Sequence, residues 1–265
     1  AVGLVRLWIA ESYALGHRLM VPHRKWAFTP EKGTHWYQSK PEDFAYLYKF
    51  IRKNKEFFDG YEPFSNVALV FCNKSIRRYG LSLFQDLCKK LADANVCFEV
   101  IIAGDDWIDD RITPEILQRF EALIVPEPSE LNQSQRDTLK AWEIANNKKV
   151  NYIKSADEIK SASLPEPSII VNNAQNLWVL PRINQDKSIV FHILNRNYDD
   201  KSDTVIPIND IEIIIRSPLI SEKGINSIKI LSPNEIENQF TFSINDKELK
   251  IQISELGMWS LLVIQ

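Results

Sequence analysis

The chain has 265 residues, 45% hydrophobic and 25% charged, which is ordinary for folded globular protein and enough for one large domain or two to three small ones. A formal net charge of −3 with no dense run of Lys and Arg leaves no electrostatic footprint for nucleic acid. No apolar run approaches the roughly 20 residues needed to cross a bilayer, so a soluble protein with no membrane span is expected.

The first residues, Ala1 to Trp8, lack Met and any basic-then-apolar signal layout and begin as if inside a folded element, so the chain reads as part of a longer protein. Arg6 to Gly16 has helical spacing, with Leu7, Ile9, Ala10, Tyr13 and Ala14 apolar and Gly16 at a natural stop. Leu19 to Pro22 is a short apolar run that predicts a strand. A polar loop follows, carrying His23, Arg24, Trp26, His35, Trp36 and Tyr37. Pro41 to Phe58 predicts a second helix: Pro41, Glu42 and Asp43 suit its first turn, and Phe44, Leu47, Tyr48, Ile51 and Phe58 make an apolar stripe. Helix, strand, long loop, helix is the unit that builds a (β/α) barrel, and one unit cannot bury its own faces. Residues 1–62 therefore belong to a barrel whose other units precede Ala1, or pack as an extension on the neighbouring domain.

From residue 63 to 168 the texture changes to strict alternation. Val67 to Cys72 is nearly continuous apolar sequence, as in a parallel strand buried on both faces. Leu81 to Ala92 has a helical stripe of Phe84, Leu87, Cys88 and Leu91. Val96 to Ala103 is a second strand, closed by Gly104, Asp105 and Asp106. Thr113 and Pro114 can start a short helix. Ala122 to Pro126, Asn132 to Asn146 and Lys149 to Ile153 supply strand, helix and strand. Strands and helices in this order predict right-handed crossovers and a parallel, flavodoxin-like sheet. Ser155 to Ser168 reads as a connector ending at Pro165 and Pro167.

Residues 169–265 carry no helical pattern. Short apolar or alternating runs at Leu177–Leu180, Ser188–Leu194, Ile208–Ile215, Ser227–Leu231, Gln239–Ile244, Glu248–Ile253 and Met258–Ile264 are separated by Asn-, Pro- and Gly-containing turns. That spacing predicts an antiparallel β-sandwich, with Trp178 and Trp259 in its core rather than on a ligand platform.

The chemistry on offer is limited. Cys72, Cys88 and Cys97 fit no zinc spacing and read as reduced, buried residues, so neither a metal nor a cofactor is expected. Cys72 lacks a flanking Gly, and no His occurs between His35 and His192, so a thiol nucleophile has no partner base. The Asn73 to Gly80 loop offers cations but only one Gly to a phosphate, leaving a flavin or nucleotide site as a minor alternative. The aromatic loop holding His23, Arg24, Trp26, His35, Trp36 and Tyr37 is the candidate binding site. Aromatic faces beside polar side chains suit a carbohydrate, and equally suit a loop packed between two domains. Among the acids, Glu31 lies in the loop and Glu11, Glu42 and Asp43 lie on the helices, so no carboxylate pair for glycoside hydrolysis is evident.

Arg6 to Gly16, then Met20-Val21-Pro22 and Trp26, then Pro41 to Phe44 through Phe50-Ile51-Arg52 to Phe58-Asp59-Gly60, resembles the last (β/α) unit of large bacterial glycoside hydrolases of the β-galactosidase-like build. The parts that follow resemble that family's class I amidotransferase-like domain and C-terminal sandwich. The resemblance implies that catalysis lies on earlier barrel strands, whose glutamates have no counterpart in this chain. It also implies that the α/β domain lacks glutaminase chemistry and serves homo-oligomer contacts, and that Trp26 matches the aromatic beside the bound sugar. The expected function is thus a non-catalytic portion of a glycoside hydrolase, silent by itself, in a bacterial cytoplasm, periplasm or secreted. A stand-alone carbohydrate-binding or assembly module and a small-molecule-binding flavodoxin-like protein are the alternatives.

Overall fold

The computed structural model describes residues 2–21, 40–220, 225, 227–234, 239–245 and 248–264. They form two compact units, one of Ala1–Pro63 with Ile169–Gln265 and one of Phe64–Ser168.

The first unit opens with α1 (Val2–Ala14) and α2 (Pro41–Lys53). In α1, Val5, Leu7, Ile9, Ala10 and Ala14 are all buried. Its first turn rests against Asp203: the Leu4 N–H donates to Asp203 Oδ1 at 3.2 Å, and a Cβ on Gly3 would lie 1.8 Å from the Asp203 carbonyl oxygen. The Tyr198 hydroxyl, 2.7 Å away, and the helix N–H groups hold the Asp203 carboxyl well below the usual carboxylate range. Gly16, at φ +81°, ends the segment in a conformation that favours glycine, with the Arg182 guanidinium where a side chain would sit.

The strand expected at Leu19–Pro22 does not form over residues 17–21, and Pro22 lies outside the described residues. The Tyr48 hydroxyl takes the Leu19 carbonyl at 2.7 Å, Met20 is exposed, and no described strand runs alongside. No closed barrel forms among the described residues. Helix α2 has the expected first turn and buried stripe but stops at Lys53. Both the backbone and the side-chain N–H of Asn54 donate to the Phe50 carbonyl, and a 3-10 turn at Lys55–Phe57 follows. The strand β1 (Glu62–Pro63) closes this part.

The second unit runs β2 (Val67–Cys72), α3 (Asn73–Tyr79), α4 (Ser82–Asp93), β3 (Phe98–Ala103), α5 (Pro114–Leu117), β4 (Ala122–Pro126), α6 (Gln133–Asn146) and β5 (Asn151–Ile153). Its sheet is parallel throughout, in the order β3-β2-β4-β5. Alternation along β2 and β4 sends Ala68, Val70, Cys72, Leu123 and Val125 to one face, under Leu117, Leu139 and Trp142. Val67, Leu69, Ala122 and Ile124 go to the other, under Leu87 and Leu91 of α4. Thr113 caps α5, and Asn132 with Gln135 forms a capping box on α6. All three cysteines are free, with Cys72 and Cys97 buried; burial pushes the Cys88 thiol up to about 11 and the Cys97 thiol up to about 12.

After a 3-10 turn at Ala156–Ser161 the chain returns to the first unit as β6 (Ile169–Asn172), β7 (Leu177–Ile183), β8 (Ile189–Asn195), β9 (Tyr198–Asp199), β10 (Thr204–Val205), β11 (Ile208–Arg216), β12 (Ile228–Leu231), β13 (Phe240–Asn245), β14 (Glu248–Leu256) and β15 (Trp259–Ile264). These are antiparallel. One sheet is ordered β1-β7-β8-β15-β12, another β13-β14-β11-β6, and β9 pairs with β10. In β8, Val190 to Asn195 are buried without a break, so both faces of this strand are covered. On one face an aromatic cluster joins sheet to helix. Trp259 of β15 stacks with His192 of β8 at 5.9 Å, and Phe50 of α2 and Phe58 meet Trp259 edge-on at 5.3 and 5.8 Å. Trp178 is also buried, under the Arg196 guanidinium, whose carbon lies 3.8 Å from the ring centre. At the edge of the other sheet, Phe240, Phe242 and Ile244 pair with Ile253, Ile251 and Leu249 and share their face, yet Phe242 and Ile244 stay exposed.

His192 has no solvent access and neither ring nitrogen has a hydrogen-bond partner. Burial, with a smaller contribution from the Arg182 charge, pushes its pKa down to about 3. The unfolded chain takes up this proton near pH 6.5 and the folded chain does not until about pH 3. Stability is therefore full above pH 6.5 and falls as pH drops towards 3, by at most about 5 kcal/mol from this residue. Urea titrations of His192→Phe should show a flatter acid limb over that window than the parent protein; identical limbs would mean the imidazole is not held neutral.

Candidate functional site

Every residue of the aromatic loop proposed as a binding site, His23, Arg24, Trp26, His35, Trp36 and Tyr37, lies outside the described residues, as does Glu31. The described stems are α1 through Val21 on one side and Lys40 into α2 on the other. Beside α2 lies a cavity of about 690 Å³, bordered by Arg6, Tyr46, Asn209, Gln239, Glu255 and Trp259. A neighbouring cavity of about 640 Å³ shares Tyr46 and the Ser232-Pro233-Asn234 turn and adds Lys49, Lys53 and Asn54.

Tyr46 lines both of these spaces. The Arg6 guanidinium carbon lies 5.7 Å from its ring centre, and Arg6 Nε donates to the Asp43 carbonyl at 2.9 Å, which fixes the pair across α1 and α2. Burial raises the Tyr46 phenol pKa against the opposing pull of Arg6, so the hydroxyl stays protonated at neutral pH and can donate or accept. An aromatic face flanked by amides, a guanidinium and a carboxylate suits a polyhydroxylated ligand. It does not suit glycosidic hydrolysis, which needs two carboxylates. Glu255 is the one acid among the described residues lining the larger cavity. Glu11 is turned to Arg196 at 3.6 Å, and Glu42 is exposed. Sequence reading missed Tyr46 because it lies off the apolar stripe of α2; an aromatic at an off-stripe position was the available signal.

The carboxyl edge of the parallel sheet tests the other expectation. Residues 73–80 are not a loop: Asn73–Tyr79 is helical and ends at Gly80, φ +88°. Their two arginines are engaged. Arg77 meets Asp105 at 2.7 Å, and Arg78 and the Tyr79 hydroxyl meet Glu130 at 2.9 and 2.6 Å. The hydrogen bond from Tyr79 leads the causes that lower the Glu130 pKa. A cavity of about 240 Å³ opens between the ends of β2 and β4, lined by Cys72, Ser75, Tyr79, Phe84, Glu127 and Lys154. Strand connections reverse direction there, where open α/β sheets bind ligands. Lys154 is the only cation among its described lining residues. The Asp105 turn is closed by its own side chains. Asp105 accepts from Asn73 Nδ2 at 2.8 Å and from the Trp107 N–H at 2.9 Å, and these contacts with Arg77 hold its carboxyl below the usual range.

No protein-family model matches the chain. Over 267 residues, 97% of this chain, it is 21% identical to an alpha-agarase from Thalassotalea agarivorans. Over 274 residues, again 97%, it is 23% identical to an alpha-agarase from Alteromonas agarilytica. It spans 18% of the length of each. Among solved structures, alpha-L-fucosidase isoenzyme 2 from Paenibacillus thiaminolyticus has a TM-score of 0.59 at 11% identity, over 98% of this chain and 57% of the fucosidase chain, a likeness of fold. The matches support a relationship to glycoside hydrolases over a portion of their length. They do not single out the β-galactosidase-like barrel build.

One backbone contact controls the Asp105 turn. A Cβ on Gly104 would lie 2.3 Å from the Ile108 carbonyl oxygen and 2.4 Å from the Asp110 nitrogen. Gly104→Ala should cost about 1–3 kcal/mol of stability by crowding a turn with no room to give. A chemical-denaturation midpoint equal to that of the parent protein would show that the turn relaxes freely.

Proposed function

We propose that the chain is a non-catalytic portion of a larger glycoside hydrolase, one that supports the catalytic part and contacts its polysaccharide. In this reading residues 1–62 are the last (β/α) unit of a barrel or its packing extension. Residues 63–168 are a flavodoxin-like, class I amidotransferase-like domain without glutaminase chemistry, which serves homo-oligomer contacts. Residues 169–265 are a β-sandwich. The observation that carries it is the extent of the matches: nearly the whole chain aligns with each alpha-agarase, yet fills under a fifth of it. The chemistry agrees, because the described cavity beside α2 offers one carboxylate where hydrolysis needs two. Sugar contact falls to Trp26 and the loop residues His23, Arg24, His35, Trp36 and Tyr37, with Tyr46 beside them in sequence on α2. The order β3-β2-β4-β5, with helices on both faces, is the feature that favours the flavodoxin-like reading of the middle segment.

The chain should turn over no chromogenic galactoside, glucoside or arabinoside and no agarose oligosaccharide. It should bind agarose-derived tetra- and hexasaccharides weakly by calorimetry, with binding reduced in Trp26→Ala. Robust hydrolysis that disappears in Glu31→Gln would establish a complete active site and overturn the proposal.

A further inference from the structure

At the carboxyl end of β3 the chain holds a tryptophan out in solvent on a turn that is closed from every side. Trp107 is 81% exposed. Directly before it, the Asp105 side chain is 1% exposed and accepts from Asn73, from Arg77, and from the N–H groups of Trp107 and Ile108. The Asp105 N–H donates to the Ile108 carbonyl at 2.9 Å, and the Gly104 N–H donates to Asp110 Oδ1 at 3.0 Å. Gln135, buried in α6, donates its side-chain amide to the Gly104 carbonyl at 2.9 Å. The Arg77 guanidinium carbon lies 5.0 Å from the Trp107 ring centre. These contacts restrain the turn and orient the indole while burying little of it. Stability of the unit does not call for an aromatic side chain there.

The groups around the indole indicate what it meets. The buried centre of a protein contact is depleted in Asp and Glu relative to the rest of the surface. Next to Trp107 in the turn, Asp106 and Asp109 are exposed carboxylates, and the cation of Arg77 stands beside the ring. A pyranose has the complementary surface: an apolar C–H face to lie on an indole, and hydroxyls around its edge to donate to carboxylates and accept from a guanidinium. We propose that Trp107, with Asp106, Asp109 and Arg77, is a carbohydrate-stacking platform, a second sugar contact in the parallel-sheet unit. The inference rests on the reading above that the chain contacts polysaccharide, and adds a site that this reading does not use.

Calorimetry with the same agarose-derived oligosaccharides on the whole chain tests it. Trp107→Ala should weaken binding roughly five- to tenfold, Trp107→Phe should recover most of the loss, and Asp106→Asn with Asp109→Asn should give a smaller drop. The side chain is exposed, so circular dichroism of these variants should match the parent protein. Unchanged affinity in Trp107→Ala while Trp26→Ala abolishes binding would overturn the platform and leave the earlier reading standing. A parent protein that binds none of these sugars would overturn both. A change in sedimentation coefficient in Trp107→Ala, with sugar affinity unchanged, would make the tryptophan a protein contact and overturn the platform.

Discussion

The first unit depends on one packing event, the meeting of Phe50 and Phe58 with Trp259 and His192. Edge-on aromatic contacts of this kind add to the large area that each ring removes from water. Here they join the first sixty residues to strands near the end of the chain. The helices at the start of the chain thereby cover a sheet built mainly from its end, although the parallel-sheet unit lies between them in sequence. The β1–β7 pairing, Glu62 with Ile183 and Pro63 with Arg182, brings the chain back to the same sheet just before it departs. The imidazole takes part as a flat apolar plate, and that role requires it to be uncharged.

The polar groups of both units are largely occupied in holding structure. Glu11 pairs with Arg196, which also lies over Trp178, so an acid that sequence offers to chemistry instead joins α1 to the sheet. Asp203 receives the start of α1, and Asp105 organises a turn. Burial holds the Cys88 and Cys97 thiols in their protonated, unreactive form. Among the described residues, what remains facing solvent with binding character is aromatic: Tyr46 in the lining of two cavities, and Trp107 on its turn. A protein that grips a polymer through aromatic faces and leaves bond cleavage to another part of the molecule would keep this set of side chains.

Periodicity made the parallel sheet readable. Val67 to Cys72 and Ala122 to Pro126 are continuous apolar runs because helices cover both faces of the sheet, and their bounds agree with the structure. The antiparallel strands were legible for the complementary reason, since turn residues interrupt runs too short to be helices. Residues 73–79 mix good helix formers (Lys, Arg) with poorer ones (Asn, Ser) and show no apolar stripe, so the sequence reads as loop; the helix forms where the chain leaves the end of β2. The strand expected near Leu19 failed for a tertiary reason, a tyrosine from α2 taking its carbonyl. Sequence alone leaves open which side chain of the turn after β3 faces solvent; the structure uses Asp105 inwardly and turns the Trp107 indole outward. No local pattern distinguishes those two outcomes.

The strand β13 carries a consequence for handling the protein. Among the described residues it has a neighbour on one side only, and Phe242 and Ile244 lie half in water on the face that the next strand buries. An unpaired backbone edge beside apolar side chains is a template on which another extended chain can add. Crowding at high concentration would favour such end-on addition and draw molecules into fibrils or amorphous precipitate. A lysine in place of Phe242 would place a charge on that edge and act as a gatekeeper against it, while leaving the cluster around Trp259 untouched.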